Sequence, residues 1–132
     1  MMKINQSDVL KMHRAVIKET GGFSGVRDFN LLDLAISAPF QTFNGVDLYQ
    51  TIEEKCARLA YELIKNHAFC DGNKRIGVLA MLTYLELNGI ELDCSDENLV
   101  DLGCGVASGK LEYNNIVTFI NRHKKRELEQ YK

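Results

Sequence analysis

A single proline, Pro39, interrupts 132 residues, and that scarcity restricts the fold more than any other feature. Sandwiches and barrels punctuate their strands with proline, glycine and other turn signals at short intervals, whereas the β-branched runs here are brief and unpunctuated. Helices are therefore expected to dominate. A first helix begins after Asn5 or Ser7, carries Val9, Leu10, Val16 and Ile17, and stops at Gly21-Gly22. A second spans about 28–38, capped by Asp28 and ended at Pro39. From Thr51, the residues Ile52, Cys56, Leu59, Ala60, Leu63 and Ile64 recur at three- and four-residue spacing, so they share one helix face whose last turn delivers His67.

The stretch 75–88 is apolar on nearly every side and ends at Gly89, as expected of a helix surrounded by others. Two more helices are expected over about 96–107 and 112–123, parted by Ser108-Gly109. The stretch 40–50 has no clear period and contains the turn signal Asn44-Gly45, so it reads as a loop or a marginal hairpin. The sum is an all-α, compact bundle of about six helices around a central buried helix, in one domain over 1–132, a usual length for one core. No internal repeat or low-complexity segment interrupts it.

Charge and cysteine usage limit the partners. A formal net charge of -2 gives no global attraction to phosphate backbones, so no direct nucleic-acid binding is expected. The basic run Arg122, Lys124, Lys125 and Arg126 reads as a helix end, where cations meet the negative pole of the dipole. Composition is that of a soluble chain, with no membrane span and no signal peptide expected. Cys56, Cys70, Cys94 and Cys104 form no C-x-x-C pair, which fits a reduced, cytoplasmic setting. His13, His123, Cys94 and Cys104 match no compact zinc spacing and are assigned no metal.

Chemistry concentrates in nine residues, His67-Ala-Phe-Cys-Asp-Gly-Asn-Lys-Arg75, which join the end of one helix to the start of the next. The first amides of a helix lack partners and carry partial positive charge, so Gly72, Asn73 and Lys74 offer a seat for phosphate. Lys74 and Arg75 add a point cation and a forked one, suited to a polyphosphate. Asp71 beside the same phosphates calls for a shared divalent cation, with Mg²⁺ the common choice. His67 supplies a base neutral near pH 7. Each residue alone has a plainer reading: Asp71 as a helix cap, His67 as dipole compensation, Asn73 as a turn residue, Lys74 and Arg75 as a solvated patch, Phe69 as a core anchor, Cys70 as a space-filling thiol. Their coincidence in so short a span favours the functional reading.

This segment resembles the signature of the Fic/Doc family, and of its Doc (death-on-curing) branch in particular. The likeness extends upstream to Gly21-Gly22-Phe-Ser-Gly25-Val-Arg27-Asp28 with Leu31-Leu32 and Ala35, and downstream to Asn88-Gly89 and the segment Leu102 to Gly109. The resemblance implies a Fic/Doc helical fold in which His67 is the general base toward a protein hydroxyl and Phe69 anchors the loop. Asp71 would coordinate Mg²⁺ on ATP, Gly72 and Asn73 would line the anion hole, and Arg75 would hold phosphate oxygens. Lys65 matches a basic position near the nucleotide, and a solvated helix side explains it equally well.

Three positions depart from the adenylyl-transferring pattern: Lys74 stands for a glycine, Val78 for a second arginine, Ala68 for a proline. The lysine-bearing Doc pattern implies a reversed nucleotide and transfer of the γ-phosphate of ATP to Ser or Thr. It also implies a toxin of a toxin-antitoxin pair, a cognate antitoxin as partner, and translation elongation factor Tu as target. No self-inhibitory Ser/Thr-x-x-x-Glu-Gly/Asn pattern is found, which favours restraint by a separate partner. The rival readings are adenylyl transfer, a catalytically idle binding module of the same fold, and a seat for some other phosphorylated ligand.

Overall fold

The structure, a computed structural model, describes residues 3–125. Six helices follow one another among them: α1 (Gln6–Thr20), α2 (Phe29–Ser37), α3 (Ile52–Asn66), α4 (Asn73–Leu87), α5 (Asp96–Ser108) and α6 (Tyr113–His123), with a two-stranded ribbon, β1 (Thr42–Phe43) and β2 (Val46–Asp47), between α2 and α3. The architecture is the expected helical bundle.

Local chemistry explains most of the boundaries. Asn5 caps α1, accepting from the Asp8 N–H while the Asp8 carboxylate accepts from the Asn5 N–H. Asp28 accepts from the N–H groups of Asn30 and Leu31 and so starts α2. Pro39 lies in the 3-10 turn Ala38–Phe40 that ends it. Thr51 and Glu54 form a capping box on α3, and Ser95 with Asn98 does the same for α5. Asn44 and Gly45 both take positive φ, 51° and 78°, the backbone of a tight hairpin turn. The stretch 40–50 thus contains a short antiparallel ribbon.

The apolar stretch 75–88 is not the helix that the others surround. The helix at the centre is α3, not α4: α3 packs against α2, α4, α5, α6 and the 3-10 turn, burying Cys56, Ala57, Leu59, Ala60, Leu63 and Ile64. The sequence of α4 is apolar all round for another reason. Ile76, Ala80, Met81, Tyr84 and Leu85 face the core, while half-buried Val78, Leu79 and Leu82 line an open cleft against α5. Contact between α3 and α4 is close. A Cβ on Gly77 would stand 2.6 Å from Ile64 Cγ1 and 3.1 Å from the Ala60 carbonyl oxygen, so this site is closed to any side chain.

The ribbon is tied to α3 by a buried cation. Lys55, 2% exposed, donates from Nζ to the carbonyl oxygens of Pro39 (3.3 Å) and Tyr49 and to Asp47 Oδ2 (3.2 Å), which offsets the cost of taking an ammonium out of water. Of the C-terminal basic run, Lys124 pairs with Glu53 at 2.8 Å and Lys125 with Glu91 at 2.9 Å; Arg126 lies outside the described residues. No helix among the described residues is long and apolar enough to cross a membrane.

Candidate active site

The loop between α3 and α4 is shaped by how α3 ends, how α4 begins, and what lies beneath. His67 ends α3 as a left-handed cap residue, with φ 52° and ψ 47°, a conformation costly for a residue with a Cβ. It persists because the segment before α2 grips the same backbone. Arg27 donates from Nε to the His67 carbonyl oxygen (2.7 Å) and from Nη2 to that of Asn66 (3.1 Å), satisfying carbonyls that α3 leaves open with a cation suited to that pole. The N–H groups of Arg27 and Asp28 donate to the Ala68 carbonyl oxygen, and Cys70 N–H donates to Gly25. The imidazole of His67 is left exposed.

Phe69 turns the other way and is 1% exposed. Burying such a ring contributes about 2–3 kcal/mol, enough to hold the middle of the loop down. Asn73, the first residue of α4, accepts from the Phe69 N–H and donates to the Phe69 carbonyl oxygen, each at 3.1 Å. Its side chain is thereby engaged within the loop, and only its backbone N–H is left to face an anion. Gly72 caps α4 with φ 75° and ψ 18° and no side-chain cap, so the first amides of α4 keep their donors for a ligand. Asp71 does not cap the helix. The hydrogen bond its carboxylate accepts among the described residues is a long one, 3.4 Å from the Phe23 N–H.

Asp71, Gly72, Asn73, Lys74 and Arg75 together line one end of the cleft between α4 and α5, about 640 Å³ in volume, whose walls are Val78, Leu79, Leu82, Leu99, Val100, Gly103 and Cys104. Lys74 and Arg75 are exposed, and Arg75 Nη1 donates to the hydroxyl of Thr20 at the end of α1. The result is a basic, donor-rich end and an apolar wall, chemistry able to seat an anionic group at one end and an apolar body along the other. His67 stands at the near end of the loop, outside the cleft's lining. Lys65 is exposed on the last turn of α3 and likewise outside it. Cys70 does not fill space: it is exposed.

Residues 3–85 match the sequence pattern of the Fic/DOC family. The chain belongs to the Fic/DOC family. It is 40% identical over 98 residues to Toxin Doc of Mycolicibacterium smegmatis, spanning 73% of this chain and 75% of that protein. It is 27% identical over 122 residues to Protein kinase doc of Escherichia phage P1, spanning 92% of this chain and 95% of that one.

Two residues of this Fic/DOC chain that support the loop escape a reading of the motif alone. Arg27 falls in the upstream segment, and nothing local tells that its partners lie 39 and 40 positions further on. His13 is 1% exposed, stacks on Phe69 with ring centroids 3.7 Å apart, and bonds through Nε2 to the Asp71 carbonyl oxygen at 2.7 Å. A signal for His13 exists: it sits between Val9 and Ile17 in a buried stripe at four-residue spacing, where an apolar residue is the norm.

Proposed function

We propose that the chain is the toxin of a toxin-antitoxin pair and transfers the γ-phosphate of ATP to a Ser or Thr hydroxyl of a protein target. The observation that carries this reading is the cleft end itself, where the first residues of α4, Lys74, Arg75 and Asp71 gather on the loop that begins at the exposed His67. Phosphoryl transfer asks for positioning and charge stabilisation more than for covalent help from the protein. The amides of Gly72, Asn73 and Lys74 would hold phosphate oxygens, with Arg75 forked against them. His67 would take the proton of the target hydroxyl as its oxygen bonds to the γ-phosphorus, while the bond from that phosphorus to the β,γ-bridging oxygen breaks and ADP leaves.

The Asp71 carboxylate fits Mg²⁺, which takes one or two carboxylates together with substrate phosphates. Bound there, the cation would neutralise charge on the phosphates. Lys74 supports γ-phosphate rather than adenylyl transfer: it lines the cleft where a glycine would leave room, so an ammonium competes for the space beside the amides. The relatives named a toxin and a protein kinase agree with this reading. A cognate antitoxin as restraining partner, translation elongation factor Tu as target and the cytoplasm as the place of action complete the proposal. Lys65, exposed on the last turn of α3, would add a cation near the nucleotide.

The test is transfer of label to bacterial extract proteins in Mg²⁺, with ATP labelled at the γ-phosphate in one reaction and the α-phosphate in another, and His67→Ala as control. Protein labelled only from the γ-position, and not by the variant, is the expected result. Label from the α-position would replace the kinase with an adenylyltransferase. No label from either would leave an idle binding module.

A further inference from the structure

The geometry points to His13 as a positioning residue that fixes the orientation of the Asp71–Gly72 peptide and thereby aims the Gly72 N–H at the anion. The inference deepens the proposed function, because it takes the loop amides to be the phosphate seat.

Three observations meet at this peptide. The Asp71 carbonyl oxygen can only accept, so the His13 Nε2 that lies 2.7 Å from it carries the proton. The imidazole cannot swing away, being 1% exposed and stacked on Phe69 with an interplanar angle of 14°. Gly72 itself rests on the same face of α1: a Cβ there would stand 3.1 Å from Ile17 Cδ1 and 3.5 Å from His13 Nε2. A trans peptide points its C=O and N–H in opposite directions. With the Asp71 carbonyl drawn inward to His13, the Gly72 N–H is turned away from α1, and Gly72 is among the residues that line the end of the cleft.

Gly72 makes this orientation a choice rather than a necessity. At φ 75° it occupies a region glycine enters freely, but it adopts negative φ about as readily. Rotating the 71–72 peptide by half a turn would carry Gly72 to a negative φ that glycine tolerates. It would present a carbonyl oxygen to the phosphates in place of an N–H. His13 supplies the differential contact that selects one state, since only the observed orientation gives its buried N–H a partner. Its other ring nitrogen, Nδ1, is buried with no hydrogen-bond partner among the described residues, so the ring is held by the Asp71 bond and by stacking.

The experiment compares the full-length protein with His13→Phe, which keeps a ring against Phe69 and removes the donor, and His13→Gln, which returns an N–H donor without the ring. NMR gives the imidazole tautomer in the unmutated chain and the Gly72 φ from its backbone couplings in all three, and calorimetry gives affinity for inorganic pyrophosphate. Expected are an Nε2–H tautomer, loss of the single positive Gly72 φ and about tenfold weaker pyrophosphate binding in His13→Phe, with recovery to within about threefold in His13→Gln. KM for ATP should rise in His13→Phe more than kcat falls. An Nδ1–H tautomer, or a folded His13→Phe with parental Gly72 φ and parental affinity, overturns the inference. If His13→Phe fails to fold, His13→Leu, which removes both ring and donor, takes its place: parental Gly72 φ and parental affinity in it overturn the inference, and their loss with recovery in His13→Gln supports it. If the unmutated chain binds neither pyrophosphate nor ATP, the proposed function fails, while tautomer and Gly72 φ still judge His13.

Discussion

Arg27 is joined to His67 through the backbone of the histidine, its Nε donating to the His67 carbonyl oxygen at 2.7 Å. The bond leaves the imidazole free while fixing the residue that bears it. Since His67 holds a left-handed conformation at the end of α3, an external donor is what keeps the chain turning there.

Arg27→Ala should therefore affect catalysis more than stability. The guanidinium is exposed, so its loss costs about 1 kcal/mol, a fall of about 3–5 °C in Tm. Turnover should drop about tenfold or more as His67 loses its fixed position. Thermal unfolding and label transfer on the same preparation check both parts, and Arg27→Lys, which keeps charge without the fork, should fall between.

Gly22 makes room for the Asp71 carboxylate. A Cβ there would stand 2.8 Å from Asp71 Oδ2, at a φ of 112°. Gly22→Ala should displace the carboxylate and raise the Mg²⁺ concentration for half-maximal transfer by about tenfold. Gly21→Ala is the control, because its φ of 86° carries similar strain but nothing lies within 4 Å. Equal Mg²⁺ dependence in the two variants would show that strain alone matters.

Thiol labelling tests the cleft. Cys104 is exposed and lines it, Cys70 is exposed and does not. Cys56 is buried, and burial first, then the Glu53 carboxylate, pushes its thiol well above the ordinary range. A maleimide at pH 7.5, read by peptide mass spectrometry, should modify Cys104 and Cys70 and spare Cys56. Saturating ATP with Mg²⁺ should slow Cys104 and leave Cys70 unchanged. Undiminished labelling of Cys104 would mean that the nucleotide lies elsewhere.

Alkaline pH should loosen the packing of α6 on α3. Tyr113 donates its hydroxyl to the Glu54 carbonyl oxygen at 3.3 Å, and burial, then the charges of Glu54 and Tyr49, push its pKa up to about 12. The protonated form is favoured in the folded state, so this contribution is complete below the unfolded value of about 10 and is lost as pH rises through the folded one. Tyr84 is shifted the same way by burial, then by Cys56. Denaturant midpoints should hold steady up to about pH 10 and then fall toward pH 12, and Tyr113→Phe should flatten that fall without abolishing it.

Much of the fold is legible in the chain because its signals are local. Asn5, Asp28, Thr51 and Ser95 each satisfy amides within three residues of themselves, and Asn44-Gly45 makes its turn within one hairpin. The nine-residue span from His67 to Arg75 is readable for the same reason. Its base, carboxylate, amides and cations are carried by one loop between two helices, so spacing alone brings them near one another. Locality fails at α4: an apolar residue facing a cleft and one facing the core look alike in sequence, and Val78, Leu79 and Leu82 differ from Ala80 and Met81 only in what stands opposite.

The helices, their ends and the loop from His67 to Arg75 can be read from the chain alone, because they depend on hydrogen bonds and periodicities that close within a few residues. The central place of α3, the engagement of the Asn73 side chain with Phe69, and the hold of α1 and the segment before α2 on the loop from outside arise only from packing. Those contacts join His13 to Asp71 across 58 positions and Arg27 to His67 across 40. Nothing in a local pattern encodes such a partner, since the pairing exists only once the helices have packed and brought the two backbones together.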